Sequence, residues 1–100
     1  MRKLLLLLIT LIGTTLSAQL GEAVLGNYCG DDHASPSRQI QKGLQALNKG
    51  DYPNAGVYIG AALRQNEADQ HALYLRGEWA MRTGKFPIAE GSWKRLVKRC

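Results

Sequence analysis

Apolar residues follow two regimes along the chain. From Leu4 to Leu16 they are nearly continuous, broken only by Thr and Gly, whereas from Ile40 onward they recur at helical steps. Residues 19–36 carry Gly, Asp, Asn, Ser and Pro without apolar periodicity and read as an irregular lead-in. Beyond them the spacing predicts four helices. The first runs from Ser37 through Ile40, Leu44 and Leu47 to Lys49-Gly50, a cationic last turn followed by a Gly able to take the left-handed conformation. The second has Asp51 as N-cap and Pro53 in its first turn, where no N–H donor is needed, and runs to about Gln65. The third passes through Leu73, Tyr74, Leu75, Gly77, Ala80 and Met81 to Thr83-Gly84. The fourth opens near Phe86-Pro87 and continues through Ala89, Trp93, Leu96 and Val97.

The N-terminal apolar stretch is a different object. It is thirteen residues long, follows Arg2 and Lys3, and ends in Leu16-Ser17-Ala18. A basic start, a short apolar run and small residues at its end describe a secretory signal peptide, and the run is shorter than the roughly 20 residues of a bilayer span. Residues 1–18 are therefore expected to be removed, leaving 82 of the 100 residues. Two of the thirteen Lys and Arg lie in that segment and all eight Asp and Glu lie beyond it, so the net charge falls from +5 to +3. So mild a balance in an exported chain argues against a nucleic-acid partner. Lys94, Arg95, Lys98 and Arg99 crowd the last seven residues, where cations complement a helix dipole.

The helical region repeats itself. Lys49-Gly50-Asp51-Tyr52-Pro53-Asn54-Ala55 and Thr83-Gly84-Lys85-Phe86-Pro87-Ile88-Ala89 match at Gly, aromatic, Pro and Ala with an offset of 34, which also relates Gly43 to Gly77 and Ala46 to Ala80. This resembles the tetratricopeptide repeat (TPR), a 34-residue pair of antiparallel helices. The resemblance implies an all-α fold of two helix-turn-helix repeats, at about 36–69 and 70–100, forming one domain over residues 37–100 after the lead-in. Gly43 and Gly77 would let paired helices approach, and Ala55, Ala62 and Ala89 would pack the second helices. The pattern is departed from at Gln39, at Lys42 and Arg76 where Leu is expected, at Glu67 where Pro closes a repeat, and at Leu96 in place of a small residue.

Catalytic chemistry has little support. The serines lack a nucleophile-elbow context, His33 and His71 lie in unrelated surroundings, and no glycine-rich phosphate loop is present. Cys29-Gly30-Asp31-Asp32-His33 gathers thiol, carboxylates and imidazole, but in one irregular stretch without a second ligand group, so neither a metal nor a cofactor is expected. Cys29 and Cys100 are an even pair in an exported chain, which reads first as one disulfide worth roughly 4 kcal/mol in the chain-entropy picture; free thiols and pairing to another chain are the other readings.

What is left is binding. In TPR proteins the first helix of each pair lines a concave surface, which implies Ile40, Leu44, Leu47 and Asn48 from the first repeat and His71, Tyr74, Glu78, Met81 and Arg82 from the second. His71, Tyr74, Glu78 and Arg82 follow one another at three, four and four residues, a common helix face. Ordinary packing for Tyr74 and Met81, and an intrahelical ion pair for Glu78 and Arg82, are the competing readings. The expected function is a non-enzymatic interaction module, an adaptor or scaffold for a protein or peptide partner in a bacterial periplasm or cell envelope, or else secreted. The alternative is an N-terminal repeat segment of a larger envelope assembly protein. Trp93, Leu96 and Val97 leave the last helix with an uncovered face, which the lead-in, a second copy or further repeats would cover.

Overall fold

Side-chain caps set three of the four helix starts. The computed structural model describes residues 21–26 and 35–99, which hold α1 (Arg38–Asn48), α2 (Tyr52–Gln65), α3 (Gln70–Arg82) and α4 (Phe86–Arg99). The predicted signal segment, the Cys29–His33 cluster and the Cys29–Cys100 pair lie outside the described residues. Ser37, Asp51 and Asp69 accept hydrogen bonds from the backbone N–H groups of Ile40, Asn54 and Ala72 at 3.3, 3.5 and 3.0 Å, each satisfying a donor that the first helical turn leaves open.

The stops of α1 and α3 are alike. Gly50 and Gly84 take φ of 78° and 74°, a left-handed conformation that costs a side-chain-free residue little. Around them Gly50 N–H donates to Leu47 and Asp51 N–H to Ala46, while Gly84 N–H donates to Met81 and Lys85 N–H to Ala80. This paired closure of the last carbonyls is the Schellman arrangement. It turns the chain within three residues, so α1–α2 and α3–α4 are two helical hairpins. No strand occurs among the described residues, and the fold class is all-α. None of the described helices is long and apolar enough to cross a membrane.

Burial is greatest in the helix with the most neighbours. α3 packs on α1, α2 and α4, and it buries Gln70, His71, Ala72, Leu73, Leu75, Gly77 and Ala80, which lie all round the helix. α4 packs on α3 alone and buries one stripe, Ala89, Ser92 and Leu96, at steps of three and four. Val97 beside that stripe is 74% exposed. Small residues set the approach: a Cβ built on Gly43 would lie 3.1 Å from Ile59 of α2, and one on Gly77 would overlap the Trp93 indole of α4. Trp79 joins the hairpins, since its indole N–H donates to the Tyr52 carbonyl at 2.9 Å, its ring faces Gly56, and the Lys85 ammonium sits 4.3 Å from the ring centroid.

Candidate functional site

A two-point polar contact in the described residues is directed at a backbone. Asn48, the last residue of α1, accepts a hydrogen bond from Ala23 N–H at 2.8 Å on Oδ1 and donates from Nδ2 to the Ala23 carbonyl at 3.0 Å. A side-chain amide carries one acceptor and a donor pair side by side, which matches the N–H and C=O that an extended residue presents along one edge. Residues 21–26 form no helix or strand of their own. Two α3 side chains extend the grip: Arg82 Nη2 donates to the Gly21 carbonyl at 2.9 Å, and the Tyr74 hydroxyl is hydrogen-bonded to the Val24 backbone.

Side chains of the segment alternate in burial. Ala23 is 3% exposed and Leu25 half-buried, whereas Glu22, Val24 and Gly26 are exposed. Ala23 belongs to one buried cluster with Ile40, Leu47, Ala72 and Leu75, onto which Leu25, Leu44 and Tyr74 pack. Period-two burial is the mark of an extended strand laid on a surface. The surface is formed by α1 and α3, so four of the seven predicted partner-binding residues, Leu44, Asn48, Tyr74 and Arg82, meet around this segment.

The other three stand in different roles. Glu78 lies 3.6 Å from Arg82 Nη2, one helical turn away, and steadies the guanidinium that holds Gly21. His71 is buried in the first turn of α3, and Met81 is 43% exposed in its last turn, at the margin of the site. Residues 21–26 were expected as a plain lead-in, one of three covers for the last helix. Their bonds are instead to α1 and α3. The available signal, an Ala23-x-Leu25 step flanked by Gly21 and Gly26, is too short for periodicity to register.

Electrostatics around the segment are local. Burial pushes the Tyr74 hydroxyl above its ordinary range, and the neighbouring Glu78 carboxylate pushes the same way, against smaller opposite effects from the Val24 backbone and Arg82. Replacing Glu78 by Gln should therefore move the Tyr74 titration down but leave it above an ordinary tyrosine, because burial is the larger cause. Ring-carbon NMR on labelled tyrosine checks this, and an unchanged titration would show that Glu78 does not face the ring. Among the described residues no group of three or more His, Cys, Asp or Glu side chains is placed to hold a metal ion. The site offers hydrogen bonds to an extended chain above an apolar floor. No family model, curated protein or solved structure matches the chain.

Proposed function

We propose that the protein is an exported interaction module, a two-repeat tetratricopeptide-like adaptor of the periplasm or cell envelope, that holds an extended segment of a protein partner on the face formed by α1 and α3. The observation that carries this reading is the two-point clasp of Asn48 on the Ala23 backbone, extended by Tyr74 and Arg82. Main-chain hydrogen bonds supply affinity for an extended ligand and alternate side chains supply specificity, and here side chains of α1 and α3 make those bonds. The packing order, with α3 against both helices of the first hairpin and α4 against α3 alone, supports the repeat reading, as does the 34-residue offset. No catalytic role is proposed. A second reading, a segment of a larger envelope assembly, is favoured by the exposed Val97 beside the half-buried Trp93 on α4, a face suited to another helix.

A photoreactive amino acid at Met81, on the margin of the site, tests the adaptor reading in living cells. It should give a discrete protein adduct that disappears when Asn48→Ala is introduced, while the same probe at Val57 on α2 gives none. Adducts indifferent to Asn48, or equally strong from Val57, overturn the assignment of the face.

A further inference from the structure

We propose that residues 21–26 are a built-in ligand: a tethered copy of the kind of segment the α1–α3 face accepts, which occludes that face until a partner strand displaces it. The inference rests on the reading of this face as a peptide site and goes beyond it by naming the competitor and the ligand class.

Three observations separate this segment from an ordinary element of the core. Its hydrogen bonds to the helices run from its backbone to the side chains of Asn48, Tyr74 and Arg82, so the face reads an extended chain and is nearly indifferent to the side chains that point outward. Glu22 and Val24, the outward pair, are exposed, and Val24 is 68% exposed although apolar. What is buried is small: Ala23 completely and Leu25 in part. The ligand class follows from this geometry. An occupant needs a residue no larger than Ala at the clasp, an aliphatic residue two positions later, no charge at either of those positions, and a free carbonyl two residues before the clasp for Arg82. A chain of another protein satisfies these conditions as well as residues 21–26 do.

Tethering makes the internal copy an effective competitor. Only eight residues separate Gly26 from Ser35, and a tether so short holds its end at an effective concentration in roughly the millimolar range. A segment with only weak intrinsic affinity then fills the site in most molecules, and a free ligand binds with its affinity reduced by the fraction of sites that are open. Occupancy in nine molecules of ten corresponds to a tenfold reduction. The face is thus tuned: partners enter only when their own binding exceeds that of the tethered strand.

The test uses the full chain and a labelled hexapeptide, Gly-Glu-Ala-Val-Leu-Gly, followed by fluorescence anisotropy. Ala23→Asp places a charge at the buried clasp position and evicts the internal segment. The variant should bind the hexapeptide at least tenfold more tightly than the unaltered chain, and adding Asn48→Ala should abolish that gain. Equal affinity of the unaltered chain and the Ala23→Asp chain overturns the proposal, as does failure of a helical Ala23→Asp chain to bind at all. Should Ala23→Asp fail to fold by circular dichroism, amide exchange on the Asn48→Ala chain decides. Loss of protection at Ala23 with the α1–α4 amides still protected supports a separable ligand; unchanged protection at Ala23, or its loss together with the helices, overturns it. Hexapeptide binding without Met81 adducts in cells would leave the built-in ligand standing and remove the adaptor reading, so the two fail separately.

Discussion

Replacing Gly77 by Ala should lower the melting temperature by about 8–16 °C, the largest loss expected from an alanine at any glycine inside the described helices. The physical reason is the contact of α3 with α4. A Cβ at Gly77 would fall on the Trp93 indole, 2.5 Å from Cδ1 and nearer still to Nε1, so the ring must move or the helices must part. Overpacking costs roughly 1–3 kcal/mol, and an overlap this deep with a ring lies at the upper end of that range. Against it stands the helix propensity that Ala gains over Gly in a helix interior, about 1 kcal/mol. A net loss of about 2 kcal/mol corresponds to the stated shift at roughly 4–8 °C per kcal/mol for a domain of this size. Two companions isolate the cause. Gly43→Ala makes one tight contact, with Ile59 Cγ1 at 3.1 Å, and ordinary ones with Tyr58 Cβ and Ile59 N at 3.5 and 3.7 Å, so it should be close to neutral, the push balanced by propensity. Gly91→Ala meets nothing within 4 Å and should stabilise by about 0.5–1 kcal/mol. Thermal unfolding by circular dichroism reads all three. If Gly77→Ala and Gly91→Ala shift the midpoint alike, the close approach of α3 and α4 is wrong.

The same glycines show what a single sequence exposes. Gly50, Gly84, Asp51 and Pro53 are legible because their chemistry is local: a left-handed turn, a side-chain acceptor and a missing donor act within a few residues of themselves. Gly43 and Gly77 are legible as small positions through the 34-residue offset. That the indole of Trp93 fills the space at Gly77, while the side chain of Ile59 faces Gly43, depends on how separate helices dock, and no short window carries that. The role of α3 as the helix with most neighbours is likewise a product of packing.

The site divides in the same way. Asn48, Tyr74 and Arg82 are identified as one face by the repeat resemblance, and spacing along α3 supports it. The occupant is invisible in sequence for a thermodynamic reason. Residues 21–26 are held by side chains at positions 48, 74 and 82, far away in the chain, and their own composition satisfies nothing locally. A strand with no partner strand has no periodic signature longer than its two inward residues. Its placement on α1 and α3 also leaves Val97 of α4 exposed, so the segment does not serve as the cover that face would accept.

Asn48→Asp should switch docking of residues 21–26 from pH-independent to acid-dependent. The amide presents a donor to the Ala23 carbonyl and an acceptor to the Ala23 N–H. Asn48→Ala removes both. Ala23 is buried, so each abandoned backbone group would cost about 1–3 kcal/mol if it stayed in place. Undocking caps that loss by returning the segment to water, and the observable result is an open face on a helical domain that still melts cooperatively. Aspartate separates the two halves of the clasp. Its carboxylate accepts from Ala23 N–H but opposes the Ala23 carbonyl with a second oxygen, whereas its protonated form donates to that carbonyl. Docking therefore favours the neutral acid and raises the carboxyl pKa of the docked state above the free value of about 3.9. The sign follows: docking in the variant is fully present below the free value and is lost as pH rises through the raised, docked-state value. The amide shift of Ala23, followed by NMR from about pH 3 to 7, should move from the docked to the free position in Asn48→Asp and stay docked in the unaltered chain. A variant that remains docked at neutral pH would show that the donor half of the clasp is dispensable, and that burial of Ala23 and Leu25 holds the segment without it.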